Sequence, residues 1–205
     1  MIRAACLLLI GAAIASPALA DERPNIVNTV TVSSQQECAA ACSAAVPSCR
    51  SWSYHQPDSR KPVASCRMET PPPPPPWTST QALSELNVYR AQYGLSPLSL
   101  DDKLMAASQA HSDDISQTGA AGHAGSDGKF HDTRLKRAGY AFSITAENVA
   151  TGQESWEEAF QAWKDSPGHN KNLLMPDVTQ LGIALTYEPS TKYLTYWTMV
   201  LAAPF

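Results

Sequence analysis

The chain has 205 residues, 43% of them hydrophobic, with 15 basic against 19 acidic side chains and a net charge of −4. That balance, with a pI near 5.7 and no basic cluster, argues against a nucleic-acid or anionic-membrane surface. Nothing in the charge picks out a partner.

Residues 1–20 read as a secretory signal. Arg3 supplies the positive start, residues 7–14 an apolar stretch, and Ala18-Leu19-Ala20 a small-residue cleavage site before Asp21. The stretch is too short to span a bilayer, and no later segment reaches the length needed. The expectation is therefore an exported chain, secreted or periplasmic, with no transmembrane segment. Cys6 lies ahead of the apolar stretch and leaves with the signal.

Four cysteines remain, Cys38, Cys42, Cys49 and Cys66, close together in an exported chain, which implies disulfides. The spacing C-x3-C-x6-C-x16-C lacks the C-x2-C knuckles of structural zinc sites. Segment 21–70 is too small for a self-sufficient apolar core, so the bridges would carry much of its stability. Residues 34–45 are helical in character, with Cys38 and Cys42 one turn apart on one face. Residues 50–54 and 63–68 read as short strands. This suggests the bridges Cys38–Cys66 and Cys42–Cys49, although three pairings are open. Residues 71–76 are six consecutive prolines, which hold a polyproline II rod of roughly 19 Å at about 3.1 Å per residue. A spacer fits this composition better than a ligand for a proline-binding groove.

Segment 77–205 has the size of an ordinary domain. Helical spacing marks residues 81–93, stopped by Gly94, and residues 101–118, capped by an aspartate. A short helix covers residues 133–138. Ser155-Trp156-Glu157-Glu158 is a capping box opening a helix with Trp156, Phe160 and Trp163 inward, and Ser166-Pro167 starts another that ends at Met175-Pro176. Strands come late, at residues 143–150, 181–187 and 193–201, the last two joined by a hairpin loop. Helices first and antiparallel strands later indicate an α+β layered domain.

Three polar residues stand in unusual settings: His123 in Ala-Gly-His-Ala-Gly, Glu147 in Glu-Asn-Val-Ala and His169 in Ser-Pro-Gly-His-Asn. Two imidazoles and a carboxylate can hold a divalent metal or a polar ligand when the fold brings them together. Each has a plainer role available. Glu147 can tie loop backbones together and His169 can serve its helix start, whereas His123, in a Gly/Ala loop, has no apolar face to join. His111 falls on the apolar face of its helix and reads as a core histidine. His131 reads as a surface residue, and Asn87, Arg90 and Asn148 as structural.

The stretches L-N-V-Y-R-A-Q-Y-G-L-S-P-L (86–98), G-H-A-G (122–125), R-L-K-R-A-G-Y (134–140), E-N-V-A-T-G (147–152), A-W-K-D-S-P-G-H-N-K-N-L-L (162–174) and L-G-I-A-L (181–185) occur in one order. Together they resemble the CAP, or SCP-like, superfamily in its short bacterial form. E-C-A-A-A-C, C-R-S-W-S-Y-H and A-S-C-R-M resemble the PAN/apple module. The first resemblance implies an α-β-α sandwich with a central antiparallel sheet and a surface cleft. The second implies a small disulfide-rich α+β module that binds protein or carbohydrate, in which we expect Trp52, Tyr54 and His55 to pack rather than bind.

In the animal and plant branches, two histidines and two glutamates line the cleft. His123 and Glu147 match the first pair. The second glutamate falls at Ser166 here, with Asp165 or Ser166 as substitutes, and the second histidine falls in Asp177-Val178-Thr179-Gln180. His169 is the bacterial alternative. The expectation is thus a non-catalytic binding protein whose cleft, at His123, Glu147 and His169, takes a lipid, sterol or glycan. His123 and His169 are candidate ligands for Zn2+. The alternative is a metal-dependent hydrolase with Glu147 as general base, although the sequence has neither His-Glu-x-x-His nor Gly-x-Ser-x-Gly.

Overall fold

The computed structural model describes residues 26–45, 49, 51–60 and 63–205. The expected signal at residues 1–20 lies outside them. In the small module, β1 (Ile26–Thr31), β3 (Ser65–Glu69) and β2 (Ser51–His55) form an antiparallel sheet in the order β1-β3-β2. β1 adds a strand beyond the two expected. Helix α1 (Gln35–Ala44) covers the sheet, and Ser34 caps it by accepting the Glu37 N–H. The bridges are Cys38–Cys66 and Cys42–Cys49. Together with Met68 they form the module's buried centre, and Trp52 and Tyr54 pack against it, whereas His55, at the strand end, is exposed rather than packed.

The proline run does not hang free. Pro71 is buried, Pro74 and Trp77 are half-buried, and the four remaining prolines are exposed, which is the three-residue period of polyproline II. Tyr187 donates its hydroxyl to the Pro71 carbonyl at 2.5 Å, and the Trp77 and Trp197 rings lie 5.0 Å apart.

Beyond it come α2 (Ser79–Gln92), β4 (Ser99–Leu100), α3 (Asp102–Thr118), α4 (His131–Arg137), β5 (Phe142–Thr151), α5 (Trp156–Asp165), α6 (Pro167–Leu173), β6 (Gln180–Glu188) and β7 (Leu194–Pro204). The helix starts follow their caps. Thr78 accepts the Gln81 N–H and so begins α2 two residues before the expected start, and Asp101 accepts from Lys103 and Leu104. Ser155 accepts the Glu158 N–H, but the Glu158 carboxylate turns to the Glu154 N–H rather than to Ser155, so the box is shifted by one residue.

The sheet order is β4-β6-β7-β5, antiparallel except for the short parallel β4–β6 pair. β7 is buried along both faces and its alternation divides the core. Trp197, Met199 and Leu201 face a layer of α2, α5 and α6 with Trp156 and Trp163, while Val200 and Ala202 face α3 and α4 with Leu104 and Leu135. Each large side chain buried this way contributes roughly 1.5–3 kcal/mol. Arg90 is fully buried and, among the described residues, has no carboxylate partner; its guanidinium donates to the carbonyls of Ser96, Leu173 and Met175. It ties α2 to the end of α6.

Candidate functional site

β5 supplies the centre of the site. Side chains alternate across a strand, so Glu147, opposite Val200, enters the α3/α4 layer, while Asn148, opposite Met199, enters the α5/α6 layer. Asn148 donates to the His169 carbonyl at 3.1 Å and accepts from Asn172 at 2.9 Å. Its role is structural: it seats α6 on the strand.

The Glu147 side chain is wholly buried. One oxygen accepts from His123 Nδ1 at 3.0 Å and the other from Arg134 Nη2 at 2.5 Å. Arg134 also grips the loop that carries His123, donating to the His123 carbonyl at 3.1 and 3.2 Å and to the Lys129 carbonyl at 3.0 Å. His111 closes the other side. Its Nε2 lies 3.0 Å from the Gly122 carbonyl and 3.9 Å from Glu147. Gly122 has φ of +151°, which side chains rarely adopt, and it sets the turn that delivers His123.

Burial pushes the Glu147 carboxyl up, but the His123 hydrogen bond and the Arg134 charge outweigh it and hold the group below its ordinary value. The bond to Glu147 raises the His123 imidazole against a smaller opposing effect of burial. His169 is lowered, by burial first and then by the charge of His123.

His123 and His169 line one hollow of about 470 Å³, together with Ala162, Trp163 and Ser166 on one wall and the end of β5 on another. Glu147 stands behind His123 and does not line it. Asp165 is not at the hollow either; it accepts a hydrogen bond from Gln161. His131 departs from the expected surface position, since burial shields its Nδ1 and lowers its pKa. Arg134 carries no assigned role in the sequence, yet it holds both the acid and the loop.

The residues present do not compose a metal centre. A protein zinc site uses three or four ligands, and among the described residues no three His, Cys, Asp or Glu side chains gather to hold an ion. Glu147 occupies His123 Nδ1, so the hollow offers two imidazole nitrogens and no lining carboxylate. Nor is Glu147 free to act as a base, with one oxygen committed to a guanidinium and the other to an imidazole.

An α-β-α sandwich with a histidine-lined hollow at the sheet edge defines a CAP-type domain, here following a disulfide-bonded PAN-type module. Residues 83–201, more than half of the chain, match the model of the cysteine-rich secretory protein family, and residues 18–69 match the PAN domain. The chain belongs to the cysteine-rich secretory protein (CAP) family. YkwD of Bacillus subtilis (strain 168) is 33% identical over 97 residues, 47% of this chain and 38% of that protein. The membrane protein YlbC of the same organism is 29% identical over 128 residues, 59% of this chain and 37% of that protein. The chain thus spans well under half of these relatives.

Among solved structures, the fold is shared with an extracellular SCP-domain protein of Bacillus anthracis. Its TM-score is 0.53 at 23% identity, over 68% of this chain and 52% of that one. An outer surface protein of Borrelia burgdorferi has a TM-score of 0.56 at 19% identity, over 64% of this chain and 99% of that one. Among the described residues, no helix is long and apolar enough to cross a membrane.

Proposed function

We propose that the chain is an exported, non-catalytic binding protein. Its CAP cleft holds a small ligand of the lipid, sterol or glycan class, and its PAN module engages a protein or carbohydrate. One observation carries this reading: His123 and His169 face a common hollow of about 470 Å³ while the nearby carboxylate is buried and saturated behind them. That volume falls within the range of small-molecule sites. A wall of Trp163 and Ala162 beside two imidazoles suits a ligand with an apolar body and a polar end. Arg134 and Glu147 preorganise His123, which limits the ordering cost of binding. Hydrolysis is disfavoured, because the acid that reaches His123 is already paired.

Intrinsic tryptophan fluorescence of the full chain, titrated with a fatty acid, a sterol and a chitin oligomer, tests the reading. Ala162→Phe fills the hollow without adding another indole. Saturable quenching by at least one probe, lost in this variant at unchanged melting temperature, is expected. No response to any of the three, or full binding by the filled variant, overturns it.

A further inference from the structure

The hollow lies along an unpaired sheet edge. In the order β4-β6-β7-β5, β5 has a neighbour on one side only among the described residues. Three bonds identify which of its backbone groups face that neighbour. Just past its end, the N–H of Gly152, an even position, donates to the Thr195 carbonyl at 3.0 Å. The carbonyls of Glu147 and Val149, odd positions, accept instead from outside the sheet, from Asn172 Nδ2 at 3.1 Å and Trp163 Nε1 at 3.3 Å.

Backbone direction in a strand repeats every two residues. The N–H of Val149 and both the N–H and C=O of Thr151 therefore face away from β7. Val149, Ala150 and Thr151 all line the hollow. Three consecutive residues do so because the hollow meets the strand at its edge rather than at one face. Among the described residues, no loop carbonyl or side chain accepts from the Val149 or Thr151 N–H. Gln153, past the strand end and the positive-φ Gly152, lines the same hollow; its carbonyl accepts from Trp197 Nε1, while its side-chain Oε1 is buried without a partner.

We propose that the hollow takes a short extended peptide segment as an added strand on β5, paired through Val149 and Thr151, with Gln153 Oε1 accepting a further peptide N–H. The proposal rests on the reading of the cleft as a binding site and adds peptides to its ligand classes. The single polar end of a lipid or sterol does not reach two donors about 6.6 Å apart. A peptide offers N–H and C=O groups at the same spacing, about 6.6 Å between like-facing residues, and main-chain pairing of this kind gives affinity with little demand on sequence. The segment is short because Asn172 and Trp163 already occupy the carbonyls at Glu147 and Val149. Strand addition is confined to the Val149–Thr151 end of β5, with Gln153 contributing only its side chain.

The test is a titration of the 15N-labelled full chain with Ac-Val-Thr-Val-Thr-NH2 and with two isomers N-methylated at alternate residues. The parent peptide is expected to shift the Val149 and Thr151 amides and slow their exchange. One isomer keeps its affinity, and the other, methylated at the residues that face β5, loses about tenfold. Thr151→Pro removes one outward donor and no ladder bond, a change that edge strands tolerate, and weakens the parent peptide similarly. If that variant fails to fold, the methylated isomers still decide. Both isomers binding like the parent, both failing alike, or no slowing at Val149 and Thr151 overturns the proposal. A fatty acid or chitin oligomer that moves the His123 and His169 resonances while the peptide moves none overturns strand addition alone. No movement by any probe overturns the cleft reading as well.

Discussion

Glu147 and Asn148 are neighbours in the chain and act in opposite layers of the sandwich. The first locks the His123 loop through Arg134 and the second seats the helix that carries His169. One dipeptide on one strand therefore sets both imidazole walls of the hollow, and the predictions about the site begin there.

Arg134→Met should cost about 3–5 kcal/mol, because it leaves the Glu147 charge buried without its guanidinium. Arg134→Met combined with Glu147→Gln should cost clearly less than the two single changes summed. Urea unfolding of the four proteins checks this; simple additivity would show that the two residues do not act as a pair.

Stability should fall in acid through Glu147. Its folded pKa lies below the ordinary 4.5, so its contribution is complete above that value and is lost as pH drops through the lower folded one. The raised His123 pKa acts in the other direction: its contribution is complete below the ordinary 6.5 and is lost as pH rises through the folded value. Glu147→Gln should flatten both limbs of a melting-temperature profile taken from acid to mildly alkaline pH, past the raised His123 value. A variant with both limbs unchanged would contradict the assignment.

Gly182→Ala should destabilise the domain by roughly 1–3 kcal/mol or more through overpacking. An added Cβ would meet the backbone of Leu104 at 2.1 Å, where α3 crosses β6. Chemical denaturation measures this. Wild-type stability in the variant would mean that α3 lies farther from the sheet.

Replacing Cys38 and Cys66 by serine should cost the small module about 2–5 kcal/mol and leave the core of residues 77–205 folded. Calorimetry should show an early separate transition while the main transition stays in place. A joint drop would show that the two parts unfold as one unit.

Much of this was legible in the residues. The aspartate and Ser155 caps, the proline at the start of α6 and the β-rich composition of the strands carry local signals, and the order of motifs supplied the sandwich. The cysteine spacing on one helix face suggested the bridges that are present. Other features depend on long-range contact. The reach of Arg134 to Glu147 spans a helix and a strand, and no local pattern distinguishes that arginine from Arg137. Trp163 shows as a core tryptophan, while its second task, covering a strand carbonyl at β5, emerges only once α5 is laid against the edge. The proline run reads as a free rod because composition says nothing of Tyr187, which lies more than a hundred residues downstream.

That seated run has a mechanical consequence. A proline stretch cannot recoil by coiling into a helix, and its first carbonyl is fastened to Tyr187 while Trp77 leans on Trp197. Tension applied to the amino-terminal module is delivered into the hairpin of β6 and β7, through the middle of the sandwich. The tether is anchored in the most deeply enclosed strand of the larger domain.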